Sequence, residues 1–131
     1  PAMQTMQMTT ALWCVLAAAL LPYFAVGIAK SGGERYDNRD PRAWLERQDG
    51  FRRRADNAQR NSFEAFPFFA AAVIVAQLLQ APQERIDALA IIFVVARVAY
   101  ILSYVADWHW ARSAAWLVGI VATVAIFVTG A

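Results

Sequence analysis

A chain of 131 residues that is 60% hydrophobic and only 17% charged is too apolar for an ordinary soluble domain. The formal net charge is only +2, and acidic residues interleave with the basic ones, so a basic nucleic-acid arm is excluded. One cysteine and one histidine supply neither a disulfide nor a metal-ligand set, and no phosphate-binding glycine loop or serine triad is present.

The first apolar run, Met8–Ala29, carries no charge and is long enough to cross a bilayer core. It lacks a basic leader and exceeds the usual signal-peptide core, so it reads as a retained span. Pro1-Ala2 reads as a processing or expression remnant. Pro22 removes a donor and frees the carbonyl of Ala18, so a kink is expected. Cys14, inside this run, reads as a small buried apolar residue. Ser31-Gly32-Gly33 ends the helix.

Residues 34–50 are expected to form a charged, turn-rich loop, with Asn38-Arg-Asp-Pro41 as the turn signal. Nine of the twelve basic residues, from Lys30 to Arg60, lie between the first and second spans. By the positive-inside rule the loop Ser31–Arg53 should be cytoplasmic and both termini should face the other side.

A second helix is predicted from near Gly50 to about Leu79, with Phe63–Gln80 as its membrane part. Asn57, Asn61 and Glu64 fall at i, i+4 and i+7 and share one face, which Arg54 extends by one turn. Pro67 frees the carbonyl of Phe63 beside Glu64, and Ala81-Pro82 closes the helix. The third helix, about Gln83 to Asp107, contains the span Ile86–Ala106. It carries a second stripe of Arg97, Tyr100 and Tyr104. An arginine near the middle of a span must face the bundle interior or a water-filled cavity. Its natural partner in the chain is Glu64, and such a pair would fix helix register.

Trp108-His109-Trp110 is a short link between antiparallel helices, its tryptophans fit an interfacial belt, and its histidine reads as solvated. Arg112 opens the fourth span, Ser113–Thr129, which again is uncharged. The first and last helices lack the polar outward face that a soluble bundle needs. The prediction is therefore one all-α integral membrane domain, 1–131, with four transmembrane helices at about 8–30, 51–80, 83–107 and 111–130. Arg54, Asn57, Asn61, Arg97 and Arg112 converge toward the end of the bundle that carries the basic loop. Fixed cations beside amides and phenols, close to lipid, suit a small polyanion used against a lipophilic substrate.

The pattern Asn57-Ala-Gln-Arg-Asn61-x-x-Glu64-x-x-Pro67-x-Phe69, then Arg97-x-x-Tyr100-x-x-x-Tyr104 and Arg112-Ser113, resembles the MAPEG family. These are membrane-associated proteins in eicosanoid and glutathione metabolism. The resemblance covers about three quarters of the chain. It implies a homotrimer among membrane lipids, with glutathione bound between subunits near the cytoplasmic side. By the same resemblance Asn61 and Glu64 contact the glutathione backbone, and Gln59 makes a further polar contact. Arg97, Tyr100 and Tyr104 add contacts from the third helix, and Lys30 reaches the adjacent subunit's ligand. Arg112 matches the arginine that stabilises the glutathione thiolate, with Ser113 beside it.

Two positions depart from the pattern. Asn57 stands where many catalytic members have Arg, a loss that Arg54 or Arg60 can offset from an adjacent turn. Trp116 stands near where many have Tyr, and offers stacking and an indole donor. The resemblance thus implies a glutathione-dependent transferase or peroxidase acting on lipophilic electrophiles or lipid hydroperoxides. The rival is a non-catalytic member that binds lipid or a partner protein in the intersubunit groove. Arg112 separates the two, because a lipid binder needs no thiolate stabiliser. Four spans without inverted repeats or an ion-coupling site disfavour a transporter.

Overall fold

The computed structural model describes residues 6–32 and 35–131. The readings of Pro1-Ala2, of Gly33 in the helix stop and of Glu34 in the loop lie outside those residues. Five helices follow in order: α1 Thr10–Ala29, α2 Pro41–Glu46, α3 Gly50–Leu78, α4 Gln83–Val105 and α5 His109–Val128. All but α2 are long and apolar enough to cross a membrane.

The helix ends follow from local chemistry. Thr9 caps α1, its hydroxyl accepting from Leu12 N at 3.2 Å. The helix then runs unbroken through a buried Pro22. Beyond it, Gly32 takes the left-handed backbone (φ 63°), with the Arg52 guanidinium so close that a Cβ there would lie 3.1 Å from Nη2. The segment expected to be loop contains α2: Asp40 accepts from Ala43 N at 3.3 Å and Pro41 fills the first turn. Asp-Pro signals a turn and a helix start equally well, and here Trp44 decides. It is fully buried with Leu45 against Ala29 of α1 and Ala55 of α3, and its Nε1 donates to Arg35 O at 2.8 Å. At 29 residues α3 is about 44 Å long, more than the roughly 30 Å apolar core, so its first turns stand outside the bilayer.

Small side chains set the packing. Ala11, Ala18, Ala25 and Ala29 of α1 are buried, as are Ala55, Ala58, Ala72 and Ala76 of α3. These two helices pack extensively on each other, as do α4 and α5. Alanine seams let backbones approach closely where lipid removes most of the hydrophobic drive between helices. Phe69 of α3 stacks on Phe93 of α4, ring centroids 3.9 Å apart, at the centre of the main core. Leu16 and Leu20 on α1 and Leu117, Val121 and Val124 on α5 are exposed. Such faces would be an aggregation hazard in water and are ordinary against acyl chains.

A carboxylate set one turn into α4, Asp87, is a charge that the span-by-span reading passes over. Its Oδ1 accepts from Ala11 N at 2.9 Å and from Gln83 Nε2 at 2.7 Å. Gln77 pairs with Gln83, and Thr9 donates to Gln77 Oε1 at 2.9 Å. This network ties the ends of α1, α3 and α4 together at the margin remote from the basic loop, and neutral donors rather than a cation satisfy the Asp87 oxygen there.

Candidate functional site

Two cavities on α3, α4 and α5 share Asn61 and Trp116 as walls and so form one groove. The outer part, about 340 Å³, is lined by Tyr100, Tyr104, Arg112 and Ser113. The inner part, about 180 Å³, is bounded by Glu64 and Arg97 and then by the buried Phe93, the half-buried Ile120 and the exposed Phe68. The groove thus runs from a polar mouth to an apolar floor.

Arg97 organises the mouth. It is 3% exposed, and its Nη2 donates to Asn61 Oδ1 at 2.8 Å and to Ser62 Oγ at 3.4 Å. Because a guanidinium only donates, the Asn61 oxygen must face Arg97 and its amide N–H groups are left as donors for the groove. Cations and rings alternate around the wall. Arg97 Cζ lies 4.1 Å over the Tyr100 ring, Tyr100 meets Tyr104 edge-on at 5.7 Å, and Arg112 Cζ lies 4.5 Å over Tyr104. Aromatic faces orient both guanidiniums without neutralising them. Gly119, on the adjoining turn of α5, brings its backbone against the Arg97 stem, where a Cβ would lie 3.5 Å from Cδ.

The expected Arg97–Glu64 pair is not formed. Ser62 is buried on the contact line between α3 and α4, and Asn61 flanks it. Glu64 lies roughly 60° beyond Asn61 around the helix, on the exposed side. Among the described residues the only ion pairs are those of Arg60 with Asp56 and Glu46. Arg97, Arg112 and Glu64 therefore present two cations and one anion to the same groove, with no charged partner among the described residues.

Other residues expected at the site are placed elsewhere. Arg54 donates from Nε and Nη2 to Val105 O at 3.2 and 3.1 Å, closing the C-terminal end of α4. Its neighbours do the same: Arg52 binds Ser31 O and Arg53 binds Glu46 O. Three consecutive arginines thus hold the carbonyl ends of α1, α2 and α4, where helix dipoles favour cations. Arg60 turns to Asp56 and Glu46, so neither it nor Arg54 replaces the cation missing at Asn57. Asn57 is half-buried and lines neither part of the groove. Gln59 lines a different cavity beside α2, and Lys30 lies 4.2 Å over the Tyr36 ring. Asn61, Glu64, Arg97, Tyr100, Tyr104, Arg112, Ser113 and Trp116 are brought together. Ser62, the second acceptor for Arg97, escaped the reading because a lone serine beside a polar stripe gives no signal.

A four-span helical membrane protein with a charged groove opening toward one bilayer face is the class that this fold and site define. The chain belongs to the MAPEG family, whose sequence model matches residues 10–131. It is therefore a membrane protein of glutathione and eicosanoid metabolism. No curated protein and no solved structure matches it.

Proposed function

We propose that this protein is a glutathione-dependent transferase or peroxidase that acts on lipophilic electrophiles or lipid hydroperoxides reaching it from the bilayer. The observation that carries the reading is the grouping of Arg97, Arg112 and Glu64, with no charged partner among the described residues, around one groove with an apolar floor. Glutathione has two carboxylates and one ammonium, a charge pattern complementary to two guanidiniums and one carboxylate. Glu64 faces the ammonium, and Asn61 offers its amide donors to the peptide. Arg97 holds Asn61 and adds positive potential for a carboxylate.

When bound, glutathione supplies a thiol whose deprotonated form is the nucleophile. Arg112, oriented by Tyr104, favours the charged form by proximity and needs no proton-accepting base for that role. Ser113 adds a hydroxyl donor at the same mouth, and Trp116 gives a flat wall between polar mouth and apolar floor. The working assembly is a homotrimer with the loop Ser31–Arg53 in the cytoplasm and both termini opposite. Lys30, outside its own subunit's groove, serves the neighbour's ligand. Calorimetric titration of glutathione into the detergent-solubilised protein should show saturable binding, and turnover should appear with a hydrophobic aryl halide. Absence of binding heat would refute the reading.

A further inference from the structure

The outer side of α4 and α5, turned away from the glutathione groove, carries two further cavities. One, about 330 Å³, is an apolar furrow floored by Ala96, Ala99 and Ala115 and walled by Ile92, Val95 and Val118. The other, about 350 Å³, lies at the turn between the two helices and is lined by Asp107, Trp108, His109, Trp110 and Ala111. Ala111, Ala115 and Val118 fall at i, i+4 and i+7, so one stripe of α5 joins the two cavities. On α4, Ile92, Val95 and Ala99 lie roughly 140° around the helix from Arg97, Tyr100 and Tyr104. Neither cavity takes a lining residue from α1, α2 or α3, or from the glutathione groove. The neighbouring subunit proposed to close that groove therefore leaves this seam to the lipid.

The cavity at the turn has the chemistry of a headgroup site. Trp108 and Trp110 are 68% and 81% exposed, so both indoles are free to cover a ligand. Asp107 takes the left-handed backbone (φ 62°) that ends α4, a place glycine fills most often. The turn itself thus has no need of a carboxylate there. Among the described residues no cation pairs with Asp107, and its amide alone is engaged, to Tyr104 O at 3.1 Å. A carboxylate and two indoles around one cavity suit a quaternary ammonium. The His109 ring, 5.7 Å from that of Trp110, adds an N–H for a phosphate oxygen. From Ala111 down the seam to Ile92 is about 17 Å, close to one leaflet of a roughly 30 Å apolar core.

We propose that this seam binds a phospholipid with a phosphocholine headgroup, in the leaflet on the side of the basic loop. Its trimethylammonium sits against Trp108, Trp110 and Asp107, its phosphate accepts from His109, and one acyl chain lies in the alanine-floored furrow. An ethanolamine headgroup can pair with Asp107, but its compact, strongly hydrated ammonium lacks the methyl groups that cover the indoles. A glycerol headgroup supplies no cation and sets its negative charge against Asp107.

Native mass spectrometry of the detergent-solubilised full-length protein, with dioleoyl phosphatidylcholine and phosphatidylethanolamine added at equal concentration, tests this. The two lipids carry the same net charge, so attraction to the basic loop does not separate them. Wild type should retain phosphatidylcholine about fivefold better, the scale of one cation–π contact. Replacing both indoles, Trp108→Leu with Trp110→Leu, should bring that ratio close to one. Asp107→Asn, which the left-handed backbone tolerates, should weaken both lipids. Ala99→Phe, at an exposed position, should fill the furrow, weaken both alike and keep the ratio. Soluble phosphocholine at the lipid's concentration should displace neither. Equal retention by wild type, or a preference for phosphatidylethanolamine, overturns the proposal and leaves the tryptophans an unselective interfacial belt. So does a ratio unchanged in the double tryptophan variant, or retention unchanged in Asp107→Asn or Ala99→Phe. Displacement by soluble phosphocholine overturns the lipid as occupant. Because the measurement contains no glutathione, its failure leaves the proposed transferase or peroxidase activity untouched.

Discussion

Arg97 donates to the Asn61 side-chain oxygen at 2.8 Å, joining the two polar stripes of α3 and α4 by a charge-to-amide hydrogen bond. This contact leaves Glu64 unengaged and fixes which atoms of Asn61 face the groove. It makes Arg97 a positioning residue whose charge also reaches the ligand, rather than half of a neutral pair.

Arg97→Ala should cost about 3 kcal/mol, from a hydrogen bond to a charged donor and the contact with the Tyr100 face. Arg97→Lys should recover only part of it, because an ammonium lacks the planar fork that stacks on Tyr100 while reaching Asn61 and Ser62. Unfolding in graded denaturing detergent measures both. Full rescue by lysine would show that charge alone matters at this position.

Glu64→Gln should weaken glutathione binding by tenfold or more, roughly one charge-assisted hydrogen bond. Its effect on stability should stay within about 0.5 kcal/mol, since the side chain is exposed and unpaired. Calorimetry and a thermal melt on the same preparation separate the two effects. A destabilised variant with unchanged affinity would make Glu64 a structural residue.

For Arg54→Gln the expectation is reversed. Losing the donors to Val105 O should destabilise the protein by about 1–2 kcal/mol and leave glutathione affinity unchanged. If affinity falls while the melting temperature holds, Arg54 belongs to the binding site.

Asn38→Cys in a Cys14→Ala background places one thiol in the basic loop. A membrane-impermeant maleimide should label it only after the membrane is permeabilised. Labelling from outside intact cells would mean the topology is inverted.

The sequence already shows the four spans, because two uncharged and two nearly uncharged apolar runs of bilayer length stand in order along it. It also shows most of the groove, because helical periodicity puts Asn61 and Glu64 on one face and Arg97, Tyr100 and Tyr104 on another. Periodicity names faces, not partners, so the choice of Asn61 over Glu64 by Arg97 emerges only when α3 and α4 are packed. Arg54 shows the same limit: its stripe position is right, but a carbonyl at the end of α4 claims it first. The helix α2 stayed hidden because six residues give too short a period, and only the burial of Trp44 selects helix over turn. Asp87 lies inside the span Ile86–Ala106, and its role depends on the Ala11 amide of another helix, a contact that no pattern along the chain reveals.

Central to the proposed chemistry is thiolate stabilisation by Arg112. The direct measurement is the ultraviolet thiolate absorbance of protein-bound glutathione, followed against pH in wild type and Arg112→Ala. The expected result is a titration midpoint roughly two pH units lower in wild type, about 2.7 kcal/mol of differential stabilisation, with most binding affinity retained in the variant. Thiol-transfer rate at saturating glutathione should fall in parallel. Identical midpoints in the two proteins would contradict the assignment and leave Arg112 an interfacial anchor, with lipid or partner binding the better reading of the groove.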